Sequence, residues 1–114
     1  VATDLRLWLL SPRGAIASLI AGHELAGASF GASRTVNLPG LSVSVGAMIA
    51  ALEQVAGADV VARISYAPDP AIERIVKSWP GAWDTARAAA LGLTADADFA
   101  SIIGAYMDDV KAAS

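Results

Sequence analysis

Twice in this chain a side chain that can cap a helix is followed directly by proline, at Ser11-Pro12 and at Asp69-Pro70. That pair of residues constrains the fold more than any other feature of the sequence. The capping oxygen accepts from a free backbone N–H of the first turn, and proline is pre-set for the first helical position. Whatever precedes each pair must end there, and a helix must begin. Before the first lies Leu5-Arg6-Leu7-Trp8-Leu9-Leu10, a short, nearly continuous apolar run of the kind expected for a buried strand. After it, Ile16, Leu19, Ile20 and His23 recur at helical spacing, and the helix ends by Gly27.

The remaining punctuation sets out an alternation. Arg34–Leu38 reads as a second strand closed by Pro39-Gly40. Val45, Met48, Ile49, Leu52 and Val55 follow the i, i+3, i+4, i+7 pattern, with Ser44 as cap and Gly57 as stop. A third strand is predicted over Arg63–Ala67, and the helix opened by Asp69-Pro70 must break before Pro80-Gly81. Asp84 caps a short helix that stops at Leu91-Gly92. The last helix spans Asp98 to Ala112, with Phe99, Ile102, Ile103, Tyr106, Met107 and Val110 on one stripe. Strands alternating with helices define an α/β chain. Three short strands are too few for a doubly wound sheet, so the unit reads as incomplete. No internal repeat or linker divides its 114 residues, which suffice for one domain.

Composition narrows the function classes. The formal net charge is −3, and the eight basic residues are scattered rather than gathered in a stripe, which excludes nucleic acid as a partner. There are no cysteines, so neither disulfides nor thiolate chemistry arise, and a cytoplasmic setting fits. No apolar run approaches the roughly 18 residues of a membrane-spanning helix. The chain is 55% hydrophobic and 17% charged, against about 45–50% and about 25% for ordinary soluble domains. An alanine-rich composition accounts for such a balance, and so does a surface that packs on polypeptide outside these residues.

Chemistry-bearing motifs are mostly absent. A single histidine and no cysteine rule out most zinc sites and any Cys nucleophile. His23, on the apolar side of its helix, reads as a partly buried structural residue. Gly22–Ser29 has the glycine spacing of a phosphate-binding loop, but Ala28 stands where the lysine must be. Tyr106 and Lys111 are five residues apart, which at about 100° per residue puts them on different helix faces. Asp96, Asp98, Asp108 and Asp109 fall at helix ends, where capping and solvation are the expected roles. No glycine-rich dinucleotide loop follows a strand. Ser11 and Arg13, directly after the first strand, are the candidate ligand residues: a guanidinium there suits a bidentate carboxylate pair. They serve equally well as an N-cap and a solvated first-turn residue.

Taken in order, several segments carry a resemblance that covers nearly the whole chain. They are Trp8-Leu9-Leu10-Ser11-Pro12-Arg13, the run from Asn37 to Val45, and Asp69-Pro70-Ala71-Ile72. Ser78-Trp79-Pro80-Gly81, Asp84-Thr85-Ala86-Arg87-Ala88, Leu91-Gly92 and the final helix from Phe99 to Tyr106 complete the set. This order resembles the C-terminal third of the extended short-chain dehydrogenases/reductases, the NAD-dependent epimerase/dehydratase group. The resemblance implies that residues 1–114 form a single C-terminal substrate-binding lobe with an α/β fold, incomplete without its Rossmann half. It implies an NAD cofactor held by that N-terminal Rossmann domain, which is also the lobe's partner, and no cofactor or metal held by these residues. The Ser/Tyr/Lys catalytic set of the family lies outside this sequence, so the chain alone contains no catalytic residue. The implied reaction is hydride transfer to NAD from a small sugar acid. A nucleotide-sugar epimerase, dehydratase or reductase, and a free-standing binding module, are the alternatives. Ser11, Arg13 and Trp79 are the implied substrate contacts, although a tryptophan at a Pro-Gly break serves equally as core. The first strand and helix are expected to face the Rossmann half, and a homo-oligomer is compatible with the family.

Overall fold

The computed structural model describes all residues, Val1–Ser114. It contains two strands, β1 (Arg6–Leu9) and β2 (Leu41–Ser44), and six α-helices. These are α1 (Pro12–Glu24), α2 (Val45–Ala56), α3 (Ala58–Val61), α4 (Pro70–Lys77), α5 (Ala86–Ala90) and α6 (Phe99–Ala112), with a 3-10 turn at Gly27–Phe30. The chain is therefore mostly helical, and the expected α/β alternation survives only as a two-stranded antiparallel ladder.

Local chemistry explains where the helices start. Ser11 Oγ accepts from Gly14 N, Ser44 Oγ from Ala47 N, and Asp69 Oδ1 from Ala71 N and Ile72 N. Asp98 and Ser101 form a reciprocal capping box on α6. Asp84 accepts from Ala86 N, although Thr85 occupies the cap position of α5. Helix α2 stops at Gly57, whose φ of 89° favours glycine over any side-chain-bearing residue. Helix α5 stops in the same way at Gly92. There Gly92 N donates to Ala89 O and Leu93 N to Ala88 O, the two bonds of a Schellman ending.

Two predicted strands are corrected. Arg34–Leu38 is not a strand: no strand lies alongside it, and Arg87 holds the chain here, Nη1 donating to Thr35 O at 2.7 Å and Nη2 to Ser33 O and Phe30 O just before the segment. The chain enters the ladder only after Pro39-Gly40, where Leu41-Ser42-Val43-Ser44 alternates with period two. Arg63–Ala67 has no strand alongside it and is irregular, with Tyr66 exposed. Register pairs Leu7 with Val43 and Leu9 with Leu41 on one face, and Arg6 with Ser44 and Trp8 with Ser42 on the other. β1 is thus two-faced rather than uniformly apolar.

Helices α2 and α6 make the main helix–helix contact, and Val45, Met48, Ile49, Leu52, Ile64, Phe99 and Ile103 enclose a gap of about 290 Å³. All seven are only half-buried. Just five residues are fully buried, and none is a large aromatic: Ser11, Ser18, Pro39, Ala88 and Leu93. The accessible surface is 7579 Å², against about 5,800 Å² for a compact protein of this mass. The radius of gyration is 16.7 Å, against about 13 Å for a compact domain of this length. On α1, Ile16, Leu19 and Ile20 are 58%, 69% and 58% exposed. This flat body leaves an apolar face uncovered. No helix is long and apolar enough to cross a membrane.

Candidate functional site

The junction of β1 and α1 brings two of the three predicted site residues together and binds both to distant carboxylates. Ser11 is 2% exposed. Its backbone N donates to Asp96 Oδ2 at 2.8 Å and its hydroxyl to Asp96 Oδ1 at 2.6 Å, while Oγ accepts from Gly14 N at 2.9 Å. The hydroxyl has both a donor and an acceptor role filled. Ser11 caps α1 and clamps the segment before α6; it has no surface with which to meet a ligand.

Arg13, in the first turn of α1, is exposed, and Nη2 lies 2.5 Å from Asp109 Oδ1 on α6. The hydrogen bond to Asp109, with the charges of Asp109 and Asp108, raises the guanidinium above its already high ordinary pKa. Arg13 is therefore a permanent cation, tied to α6 by a solvent-facing pair of small energetic worth. Asp96 and Asp109 each have a partner distant in sequence, although Asp109 is also exposed to solvent as expected; Asp98 caps as expected.

Trp79 follows α4, with its backbone N donating to Val76 O and its side chain 56% exposed. It is not core. His23 is likewise exposed, against the partly buried position expected of it, and stands in the last turn of α1. No three His, Asp or Glu side chains converge to hold a metal ion.

Sequence reasoning missed a second cluster. Arg6 Nε donates to Ser42 Oγ at 3.1 Å and Nη2 to Ser42 O at 2.7 Å, while Ser42 Oγ donates to Gly81 O at 2.6 Å. This network lashes the Trp79-Pro80-Gly81 segment to the polar face of the ladder. The Leu41–Ser44 alternation is the signal that would have found it. Beside it, Trp8, Leu10, Asn37, Leu38, Pro39 and Trp83 line a cleft of about 340 Å³. Gly40 lets it form: a Cβ there would stand 2.7 Å from Leu9 O and 2.9 Å from the Trp8 indole.

The geometry is a two-stranded ladder flanked by capped helices, with an apolar face left uncovered on α1. No protein-family model matches the chain. It is 51% identical over 109 residues to D-erythronate dehydrogenase of Cupriavidus necator, covering 96% of this chain and 34% of that protein. The D-erythronate dehydrogenase of Haemophilus influenzae is 37% identical over 108 residues, again covering 34% of its length. The crystal structure of a nucleoside-diphosphate-sugar epimerase from Agrobacterium tumefaciens superposes on the whole chain with a TM-score of 0.94 and 37% identity, over 33% of that structure. The chain spans about a third of the length of these relatives. Along nearly its whole length it is similar to one portion of each of these dehydrogenases and of this epimerase.

Proposed function

We propose that these residues form the C-terminal, substrate-binding lobe of an NAD-dependent oxidoreductase that oxidises a small sugar acid such as D-erythronate. The observation that carries this reading is the 51% identity to a D-erythronate dehydrogenase along 96% of the chain. No glycine-rich loop fit for a dinucleotide occurs here, so NAD and the acid–base residues belong to the remaining two-thirds of the enzyme. NAD held there would supply the hydride acceptor for the substrate's secondary alcohol; on this side Arg13 and Trp79 are the residues exposed to hold and orient the substrate. The partner for the uncovered α1 face is the Rossmann half of the same enzyme. The small core and the exposure of Ile16, Leu19 and Ile20 support that assignment.

Arg13 is the site candidate whose exposed charge suits a carboxylate, which would have to compete with Asp109 for it. Ser11 acts through position, holding the start of α1. Trp79 supplies an exposed indole near the ladder. A second reading, a nucleoside-diphosphate-sugar epimerase, is favoured by the likeness to the Agrobacterium tumefaciens structure. Purified full-length enzyme decides between them. NAD reduction at 340 nm with D-erythronate supports the dehydrogenase, and sugar interconversion without net NAD reduction supports the epimerase.

A further inference from the structure

Trp8, Asn37 and Trp83 converge on the 340 Å³ cleft from three separate segments. That volume lies within the range of small-molecule pockets, roughly 300–1,000 Å³. Trp8 is seated by the ladder and by the missing Cβ of Gly40. Trp83, 47% exposed, is carried between two anchors: Gly81 O, held by Ser42, and Asp84, whose carboxylate accepts from Ala86 N at 3.0 Å. Asn37 is exposed, and its amide makes no hydrogen bond within the chain; neither does either indole N–H. The cleft therefore offers two indoles, an amide with both donor and acceptor unspent, and no charged side chain.

We propose that this cleft is a carbohydrate subsite, in which the Trp83 indole packs on the C–H face of a polyhydroxylated carbon chain and Asn37 hydrogen-bonds its hydroxyls. This deepens the proposed function and rests on the reading that the region binds substrate. The indole face is the negative end of a quadrupole and attracts the polarised C–H bonds of a hydroxylated carbon. An amide and two N–H groups match alternating hydroxyl donors and acceptors. A sugar acid's carboxylate, finding no cation in the cleft, lies outside it. Both kinds of relative are named for molecules with a polyhydroxylated carbon skeleton, which is the feature such a subsite reads.

The test uses the full-length enzyme carrying Trp83→Ala, Trp83→Phe or Asn37→Ala. Trp83→Ala is expected to raise substrate KM about tenfold, with kcat and the KM for NAD held within about twofold, the pattern of lost binding shared by ground and transition states. Trp83→Phe should recover part of that loss, and substrate-induced quenching of tryptophan fluorescence should be smaller in Trp83→Phe than in the parent. Unchanged substrate KM in both Trp83→Ala and Asn37→Ala overturns the subsite. If the parent enzyme turns over a nucleoside-diphosphate sugar and no sugar acid, the proposed function falls. The same KM comparison on that substrate then still decides the cleft.

Discussion

Ser11 and Asp96 lie 85 residues apart in sequence, yet the carboxylate takes both the backbone N–H and the hydroxyl of the serine, at 2.8 and 2.6 Å. That pairing fixes the exit of β1 against the segment that leads into α6. Asp96→Ala removes two hydrogen bonds to a charged acceptor and leaves a buried hydroxyl without its partner. We expect a loss of about 1.5–3 kcal/mol, read as a lowered Tm of the full-length enzyme. Ser11→Ala in the Asp96→Ala background should still cost about 0.5–2 kcal/mol for the lost cap on Gly14 N, but less than in the parent, where the bond to Asp96 goes too; full additivity in the double-mutant cycle would show that the two residues are not coupled.

Arg13→Ala tests the charged candidate. In the full-length enzyme it is expected to weaken sugar-acid affinity by about tenfold or more while NAD affinity holds. Equal affinities for both ligands in variant and parent remove Arg13 from the site and leave it as a tie between α1 and α6.

Arg87 holds the 30–35 segment through three backbone carbonyls. Arg87→Ala should speed amide exchange and proteolytic nicking around Ser33–Thr35 far more than elsewhere. Arg87→Lys should not restore protection, because an ammonium lacks the planar fork that reaches several acceptors at once. Protection equal to that of the parent in Arg87→Lys would mean that charge alone is sufficient.

Two glycines give opposite expectations. At Gly40 an added methyl meets Leu9 O and the Trp8 ring, so Gly40→Ala should destabilise by about 1–3 kcal/mol. At Gly22, inside α1, nothing lies within 4 Å of the added Cβ, and Gly22→Ala should stabilise by about 0.5–1 kcal/mol. Denaturant melts of the two variants check the signs.

The uncovered α1 face predicts that residues 1–114 produced alone will self-associate. Replacing Leu19 and Ile20 with Lys should raise their solubility, and the same change in the full-length enzyme should lower its Tm. A monodisperse, highly soluble monomer of the unaltered 114 residues would count against a covered face.

The helix starts were legible in the sequence. Ser11-Pro12, Ser44, Asp69-Pro70 and Asp98 each cap the helix predicted for them, because a cap is satisfied by N–H groups two or three residues away. The stops at Gly57 and Gly92 followed for the same local reason. The apolar stripe of α6 was legible too; the fold turns its Phe99 and Ile103 toward α2, while Tyr106 and Val110, on the same stripe, remain exposed.

Tertiary structure alone decided the rest. Arg34–Leu38 has strand composition, but no strand lies beside it, its Thr35 O accepts from Arg87, 52 residues away, and the ladder begins three residues after Leu38. Arg63–Ala67 has strand composition and no neighbour. Ser11 was legible as a cap, but not as the partner of Asp96; Arg13 was legible as a cation, but not as the partner of Asp109. A strand exists only where a second strand supplies the other half of its hydrogen bonds, and a charge finds its partner through space. Both depend on which distant segments the packed chain brings together, whereas a cap depends on one turn of backbone.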